Sequence, residues 1–254
     1  MGVVAVFNQK GGVGKTTTTL NLAAGLARLQ KNPLAIDLDP QAHLTLALGV
    51  KPASGADSVT AFFRGEKRLA ELAFGLAGGL SLIPAHMELS KVDALFGKST
   101  SITTRLKQGL REEAELLEMP ILIDCCPMLG VLSLNAVIAS DRVLIPVSAD
   151  FLSLQGVHRL DAALRALEVP LQRTIERKVV LTRFDARRKL SFEIYDKLQA
   201  HFGKDLCETR IAENVSLAES PAHGKDVFAF APRSPGARDY AALTQELLEC
   251  GFFD

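Results

Sequence analysis

The sequence predicts an α/β fold, a mostly parallel twisted β-sheet with helices on both faces. Three observations predict it. Short runs rich in Val, Ile and Leu recur along the chain, and they are apolar at every position, not at alternate ones. That is how strands read when helices cover both sides of a parallel sheet. Helical patterns separate the runs, and repeated strand–helix alternation joins parallel neighbours through right-handed crossovers. A glycine-rich turn, residues 10–14, lies between the first run and the first helical pattern, where such sheets meet anionic ligands.

Strands are expected over residues 3–7, 34–37, 80–84, 121–124, 143–147 and 179–182. The first helix is expected over 16–29, with Leu22, Leu26 and Leu29 on one stripe and Gln30-Lys31-Asn32-Pro33 as its stop. A second runs over 151–167 with Leu160, Leu164 and Leu167 in phase, and others over 192–202 and 236–250. Residues 51–79 are rich in Gly, Ala and Ser and weakly periodic, which reads as loops and short helices inserted after the second strand. There is no internal repeat or low-complexity linker, so residues 1–254 are read as a single domain. With the first strand starting near residue 3, no DNA-reading helix-turn-helix is expected ahead of it.

The composition bounds the function. Lys+Arg and Asp+Glu are 29 each, a formal net charge of zero, which excludes a strongly basic nucleic-acid coat but not a local basic patch. Hydrophobic residues make up 48%, a globular composition. No apolar run reaches the ~18–20 residues of a membrane span, and the start lacks the basic region and cleavage site of a signal peptide. The cysteines at 125, 126, 207 and 250 form no C-x-x-C pattern. A reduced, cytoplasmic chain without a structural zinc or cluster is expected.

Lys10-Gly11-Gly12-Val13-Gly14-Lys15-Thr16-Thr17 has the context of a phosphate loop, after a strand and opening a helix. Its glycines let backbone N–H groups converge on anionic oxygens, and the helix N-terminus adds positive potential. Lys15 would reach the β- and γ-phosphates of a nucleotide, and the Thr16 hydroxyl would ligate Mg²⁺. The usual pattern has glycine where this chain has Gln9, and here a second lysine, Lys10, precedes the glycines.

With this deviant loop the chain resembles the ParA/MinD class of P-loop ATPases. The resemblance implies ATP and Mg²⁺ as ligands, a single-domain P-loop NTPase fold, and a nucleotide-sandwich homodimer in which Lys10 acts on the partner's phosphates. Ile36-Asp37-Leu38-Asp39-Pro40-Gln41 matches the next motif, D-x-D-P-Q. On a strand Asp37 and Asp39 would point to the same side. The resemblance makes Asp39 the residue that orients the attacking water and Asp37 a supporting switch residue. Asp124 closes the fourth long run as a Walker B acid, so the metal-side set implied is Thr16, Asp37, Asp39 and Asp124. The family continues D-x-P-P-S-L-G, whereas this chain reads Asp124-Cys125-Cys126-Pro127-Met128-Leu129-Gly130. Losing a proline frees a φ angle, so a more mobile switch loop is expected, with Cys125 and Cys126 as small buried residues.

The resemblance covers nearly the whole chain. Ser133-Leu134-Asn135-Ala136 resembles L-T-L-N-A, and Leu181-Thr182-Arg183-Phe184-Asp185-Ala186-Arg187 resembles L-T-M-F-D-x-R, which lies near the adenine. Thr182, Arg183 and Asn214 therefore join the expected nucleotide contacts. Leu217-Ala218-Glu219-Ser220-Pro221-Ala222-His223-Gly224-Lys225 resembles L-S-E-A-P-S-H-G-K. Together these matches point to the small partition type often called Soj.

Ahead of this last motif the family reads I-P-R-N-V-R, and this chain reads Ile211-Ala212-Glu213-Asn214-Val215-Ser216. Both arginines, which grip the DNA backbone in the relatives, are missing. From Arg183 to Glu249 there are ten basic and eleven acidic residues, so no excess compensates. Arg187-Arg188-Lys189 reads either as a DNA-backbone patch or as a solvated turn, and Arg233 is a further candidate.

The function implied is a slow, partner-stimulated ATPase. Its ATP-bound dimer binds nucleoid DNA non-specifically and positions a chromosome, plasmid or protein cluster. A ParB-like or cargo-adaptor protein triggers hydrolysis. The alternative is a MinD-like membrane-associated ATPase. That class carries a basic amphipathic tail, whereas no Lys or Arg follows Arg238 here, so no membrane partner is expected.

Overall fold

A computed structural model of the chain describes residues 1–92 and 100–254. Its strands are β1 (Val3–Val6), β2 (Leu34–Leu38), β3 (Phe74–Gly75), β4 (Ser81–Ile83), β5 (Ile121–Cys125), β6 (Arg142–Ser148), β7 (Glu176–Phe184) and β8 (Leu206–Ala212). They form one eight-stranded sheet in the order β3-β4-β2-β5-β1-β6-β7-β8. Every pairing is parallel except β3 with β4. β1 lies between β5 and β6, and β5 also pairs with β2. The loops after these four strands therefore open side by side at the sheet's carboxyl edge, where ligands bind in open α/β sheets.

Alternate residues of the central strands feed two cores. Val3, Ala5, Ile121 and Ile123 belong to one, and Val4, Val6 and Leu122 to the other. The first core is roofed by α3 (Val59–Arg64), α4 (Arg105–Glu112), α5 (Val131–Ala139), α6 (Phe151–Leu171) and α7 (Lys189–Phe202). The second is roofed by α1 (Lys15–Arg28), α2 (His43–Ala47), α8 (Val215–Glu219), α9 (Val227–Phe230) and α10 (Pro235–Glu249). The expected architecture, a parallel sheet covered on both faces, is what the chain adopts.

The six expected strands and four expected helices are present with shifted ends. Leu29 falls beyond α1 and is exposed, so the stripe is carried by Leu22 and Leu26. In α6, Leu160 and Leu164 are buried and Leu167 partly so. The sequence reading missed the edge strands β3 and β8. It also missed α5, whose residues are apolar nearly all round and carry no helical stripe.

α1 packs closely on α10. A Cβ on Gly25 would sit 2.4 Å from Thr244 Oγ1, so glycine at this position sets the helix separation. Thr18 Oγ1 and Tyr240 Oη lie 3.1 Å apart across the same contact. The β8 backbone is capped by carboxylates of α10: Glu246 accepts from the N–H groups of Glu208 and Thr209, and Asp239 from that of Ala212. Occupied donors blunt a sheet edge against stray pairing.

Candidate functional site

The loop after β1 runs to Gly14, the residue before α1. Gly12 and Gly14 have φ of +75° and +90°, the left-handed region that only glycine enters without strain. The loop thus turns straight into α1, whose first N–H groups lack intrahelical partners and face the open edge. A cavity of about 680 Å³ lies there, lined by Gly11, Gly12, Gly14, Lys15, Thr16, Thr17 and Asp39, with Gln41, Pro127 and Pro221 around it.

Lys15 is buried, and its ammonium donates to the Lys10 carbonyl at 3.0 Å. Burial lowers its pKa, opposed by the charges of Asp124, Cys125 and Asp39. Beneath it, Asp37 and Asp124 are register partners on β2 and β5, both with no solvent exposure. Burial pushes the Asp124 carboxyl well up, and the nearby Asp37 adds to the push. Burial likewise raises Asp37 to about 6. The Thr16 hydroxyl donates to Asp124 Oδ2 at 2.8 Å, and that of Thr19 to Oδ1 at 3.3 Å.

Asp39 and Asp124 thus lie near the buried Lys15 ammonium, and Asp37 lies beside Asp124. The site is short of positive charge, and its donors are hard oxygens. Both facts fit Mg²⁺, with Thr16 and Asp124 as its holders. A bound magnesium ion would supply charge neutralisation on nucleotide phosphates.

β2 ends at Leu38, so strand alternation does not govern Asp39. Asp37 Oδ2 accepts from Thr45 N at 2.9 Å and Thr45 Oγ1 at 2.7 Å, and Oδ1 accepts from Asp39 N at 3.0 Å. Both its oxygens accept from protein donors, and those from Thr45 brace the loop to α2. Among the described residues the Asp39 carboxylate accepts from Gln41 N, at 2.9 Å, and it borders the cavity.

A second cavity, about 440 Å³, adjoins the first through Gly12, Gly14 and Thr17. Thr182, Arg183, Asn214, Ile211 and Tyr240 border it, so the expected adenine-side residues do converge. Thr182 Oγ1 donates to the Val13 carbonyl at 2.8 Å and holds the phosphate loop from β7. Arg183 has φ of +53°, at the irregular end of the β7–β8 pairing, and its guanidinium meets Glu213 at 3.0 Å. The Asn214 side chain accepts from Ser216 N and caps α8.

Lys10 borders neither cavity. Its ammonium donates to Asp150 Oδ1 at 2.6 Å and Ser153 Oγ at 2.8 Å. Asp150, Ser148 and Ser153 had no role in the sequence reading. Their only local signal was an acid three residues before a serine at a helix start.

The basic turn follows β7. Arg187 forks onto Asp185, Nε to Oδ1 and Nη2 to Oδ2, both at 2.9 Å, while its side chain stays 89% exposed. Arg188 reaches Asp185 at 3.2 Å, and Lys189 meets Glu193 at 3.5 Å. Arg233 is exposed and precedes α10, which covers the opposite sheet face from α7. Cys125 and Cys126 are buried, as expected. Among the described residues no helix is long and apolar enough to cross a membrane.

A family model described as an AAA domain matches residues 1–177. The chromosome-partitioning ATPase Soj of Thermus thermophilus is 39% identical over 246 residues, covering 96% of this chain and 94% of that one. The chain belongs to the ParA/Soj family of P-loop ATPases. Within that family, the sporulation initiation inhibitor protein Soj of Bacillus subtilis is 35% identical, with 98% and 99% coverage. The chromosome partitioning protein ParA of Caulobacter vibrioides is also 35% identical, with 97% and 93% coverage. Among solved structures, cobyrinic acid a,c-diamide synthase of Mycobacterium smegmatis with a bound ATP analog and magnesium superposes with a TM-score of 0.84 at 26% identity, covering 98% and 94%. MinD of Pyrococcus horikoshii with Mg-ADP has a TM-score of 0.79 at 20% identity, with 98% and 96% coverage, and shares the fold.

Proposed function

We propose that this chain is a ParA-type ATPase that binds Mg-ATP in the trough around residues 10–17, closes as a sandwich homodimer and hydrolyses ATP when a cargo-side partner engages it. One observation carries the reading. The phosphate loop, Lys15, Thr16 and Asp39 border one cavity, and the buried Asp124 lies behind it, hydrogen-bonded to Thr16. The glycine-shaped loop offers N–H groups to phosphate oxygens, Lys15 balances their charge, and Asp39 is free to accept a proton from a water near the terminal phosphate. The homodimer has a surface that suits it. Met128, Leu129, Phe151 and Leu152 are exposed apolar side chains after β5 and β6, the strands flanking β1, and a second copy would cover them.

The activating partner is of ParB-like or cargo-adaptor type, and the ATP-bound dimer holds DNA backbone non-specifically through Arg187 and its neighbours. The family membership and the exposure of the basic turn support this.

The Asp39→Ala variant tests the reading. It should still form an ATP-dependent dimer in light scattering, while turnover falls by about a hundredfold or more, the usual contribution of a positioned acid–base group. Hydrolysis at the parent rate would remove Asp39 from the chemistry.

A further inference from the structure

The contact that the phosphate-loop chemistry leaves unused is the one made by Lys10. Its ammonium is bound within its own chain, 140 positions away, in a cradle of Asp150, Ser148 and Ser153. The cradle is fully satisfied. Asp150 Oδ1 accepts from Lys10 Nζ and from Ser153 N, and Oδ2 accepts from Ser148 Oγ at 2.5 Å and Ser153 Oγ at 2.9 Å. Ser148 ends β6, and Asp150 is the N-cap of α6, so two regular elements fix the carboxylate's position. Burial raises the Asp150 carboxyl, but the hydrogen bonds from Lys10, Ser148 and Ser153 outweigh it and hold it well below the usual carboxylate range. Asp150 is therefore ionised at any working pH. A lysine with a four-carbon stem cannot serve this carboxylate and a phosphate on another chain at the same time unless the two anions lie against each other.

We propose that Asp150, with Ser148 and Ser153, is a positioning group that holds Lys10 in its own chain until the sandwich closes, so that dimer formation requires exchange of the Asp150 carboxylate for the partner's nucleotide phosphates. This rests on the sandwich-dimer reading above and adds to it a gate and the residues that make it. The gate has a defined strength. A partly exposed ion pair is worth about 0.2–1 kcal/mol, which is a factor of roughly 1.5–5 in an equilibrium constant. Loss of the ion pair should therefore shift the dimerisation midpoint by that factor per Lys10 released. Phe151 and Leu152, which open α6 next to Asp150 and are exposed, lie where a closing copy would meet the cradle.

The test uses Asp150→Asn in the full chain, because asparagine keeps the N-cap acceptor for Ser153 N while removing the charge. Two readings are taken. In the absence of nucleotide, the rate at which an amine-reactive ester labels Lys10, followed by peptide mass spectrometry, should rise severalfold over the parent. In saturating Mg-ATP, with two Lys10 released per dimer, the protein concentration at half-dimer should fall by a factor of about two to twenty-five. In a Lys10→Ala background, Asp150→Asn should produce no shift, which separates a hold on Lys10 from a general effect on α6. Unchanged labelling of Lys10 overturns the gate alone, as does raised labelling with an unmoved dimer midpoint. A parent chain that stays monomeric in saturating Mg-ATP overturns the sandwich reading and the gate with it.

Discussion

Asp185 shows how one side chain decides what its neighbours can offer. It accepts the forked Arg187 guanidinium, the Arg187 N–H and the Arg188 guanidinium. The Arg187 side chain, then its backbone N–H, hold the Asp185 carboxyl down at about 2, below the ~3.9 of an unfolded chain. A depressed carboxyl contributes stability above its unfolded pKa and loses it as pH falls through the folded value. The window is therefore about pH 4 to 2. Asp185→Asn should flatten the chain's acid sensitivity there: thermal midpoints of parent and variant, measured from pH 5 to 2, should converge as the pH drops. A constant gap would show that the pair contributes nothing titratable. At this scale the sequence was legible where chemistry is local. The residues of the phosphate loop, Asp39 and Asp124 were assigned from their neighbours in the chain. Asp37 was named with them, but its bracing by Thr45 was not legible, because Thr45 binds it from α2. The Lys10–Asp150 contact spans 140 positions and leaves no periodic trace.

Among the elements, legibility followed burial. Six strands announced themselves because both their faces are covered, which forces Val, Ile and Leu at successive positions. β8 reads Leu-Cys-Glu-Thr-Arg-Ile-Ala because it is an edge, with Glu208 and Arg210 exposed and only Cys207 and Ile211 under α10. Its polar composition is a consequence of its place in the sheet, which a single sequence does not contain. Gly25 is a similar case, unremarkable in α1 until Thr244 of α10 is placed against it. Gly25→Ala gains helix propensity of about 0.5–1 kcal/mol, but its Cβ would lie 2.4 Å from Thr244 Oγ1, and overpacking of this kind costs about 1–3 kcal/mol. That hydroxyl already donates to the Tyr240 carbonyl at 2.7 Å, so turning it away breaks a buried bond. Chemical unfolding should show Gly25→Ala less stable than the parent, and adding Thr244→Ala should recover part of the loss. A stability at or above the parent's would mean that α1 and α10 can move apart freely.

At the scale of the whole molecule, the balance of 29 basic and 29 acidic residues leaves no general attraction for DNA. Any affinity must come from a local patch whose arginines are already engaged. Arg187 and Arg188 share Asp185, and Arg183 meets Glu213, which stands where the family has an arginine. A DNA phosphate would have to compete with these carboxylates. Non-specific affinity scales with the cations placed against phosphates, about 0.9 units of salt slope for each. Two substitutions should therefore move the Mg-ATP form in opposite directions. Glu213→Arg adds a cation and releases Arg183, so binding to duplex of arbitrary sequence should strengthen and the slope of log K against log salt should steepen by about one to two units. Arg187→Ala should weaken binding equally for all sequences and lower the slope by about one unit. If neither substitution changes the slope, the carboxyl-edge turn after β7 does not touch DNA, and the charge that does must lie on another face.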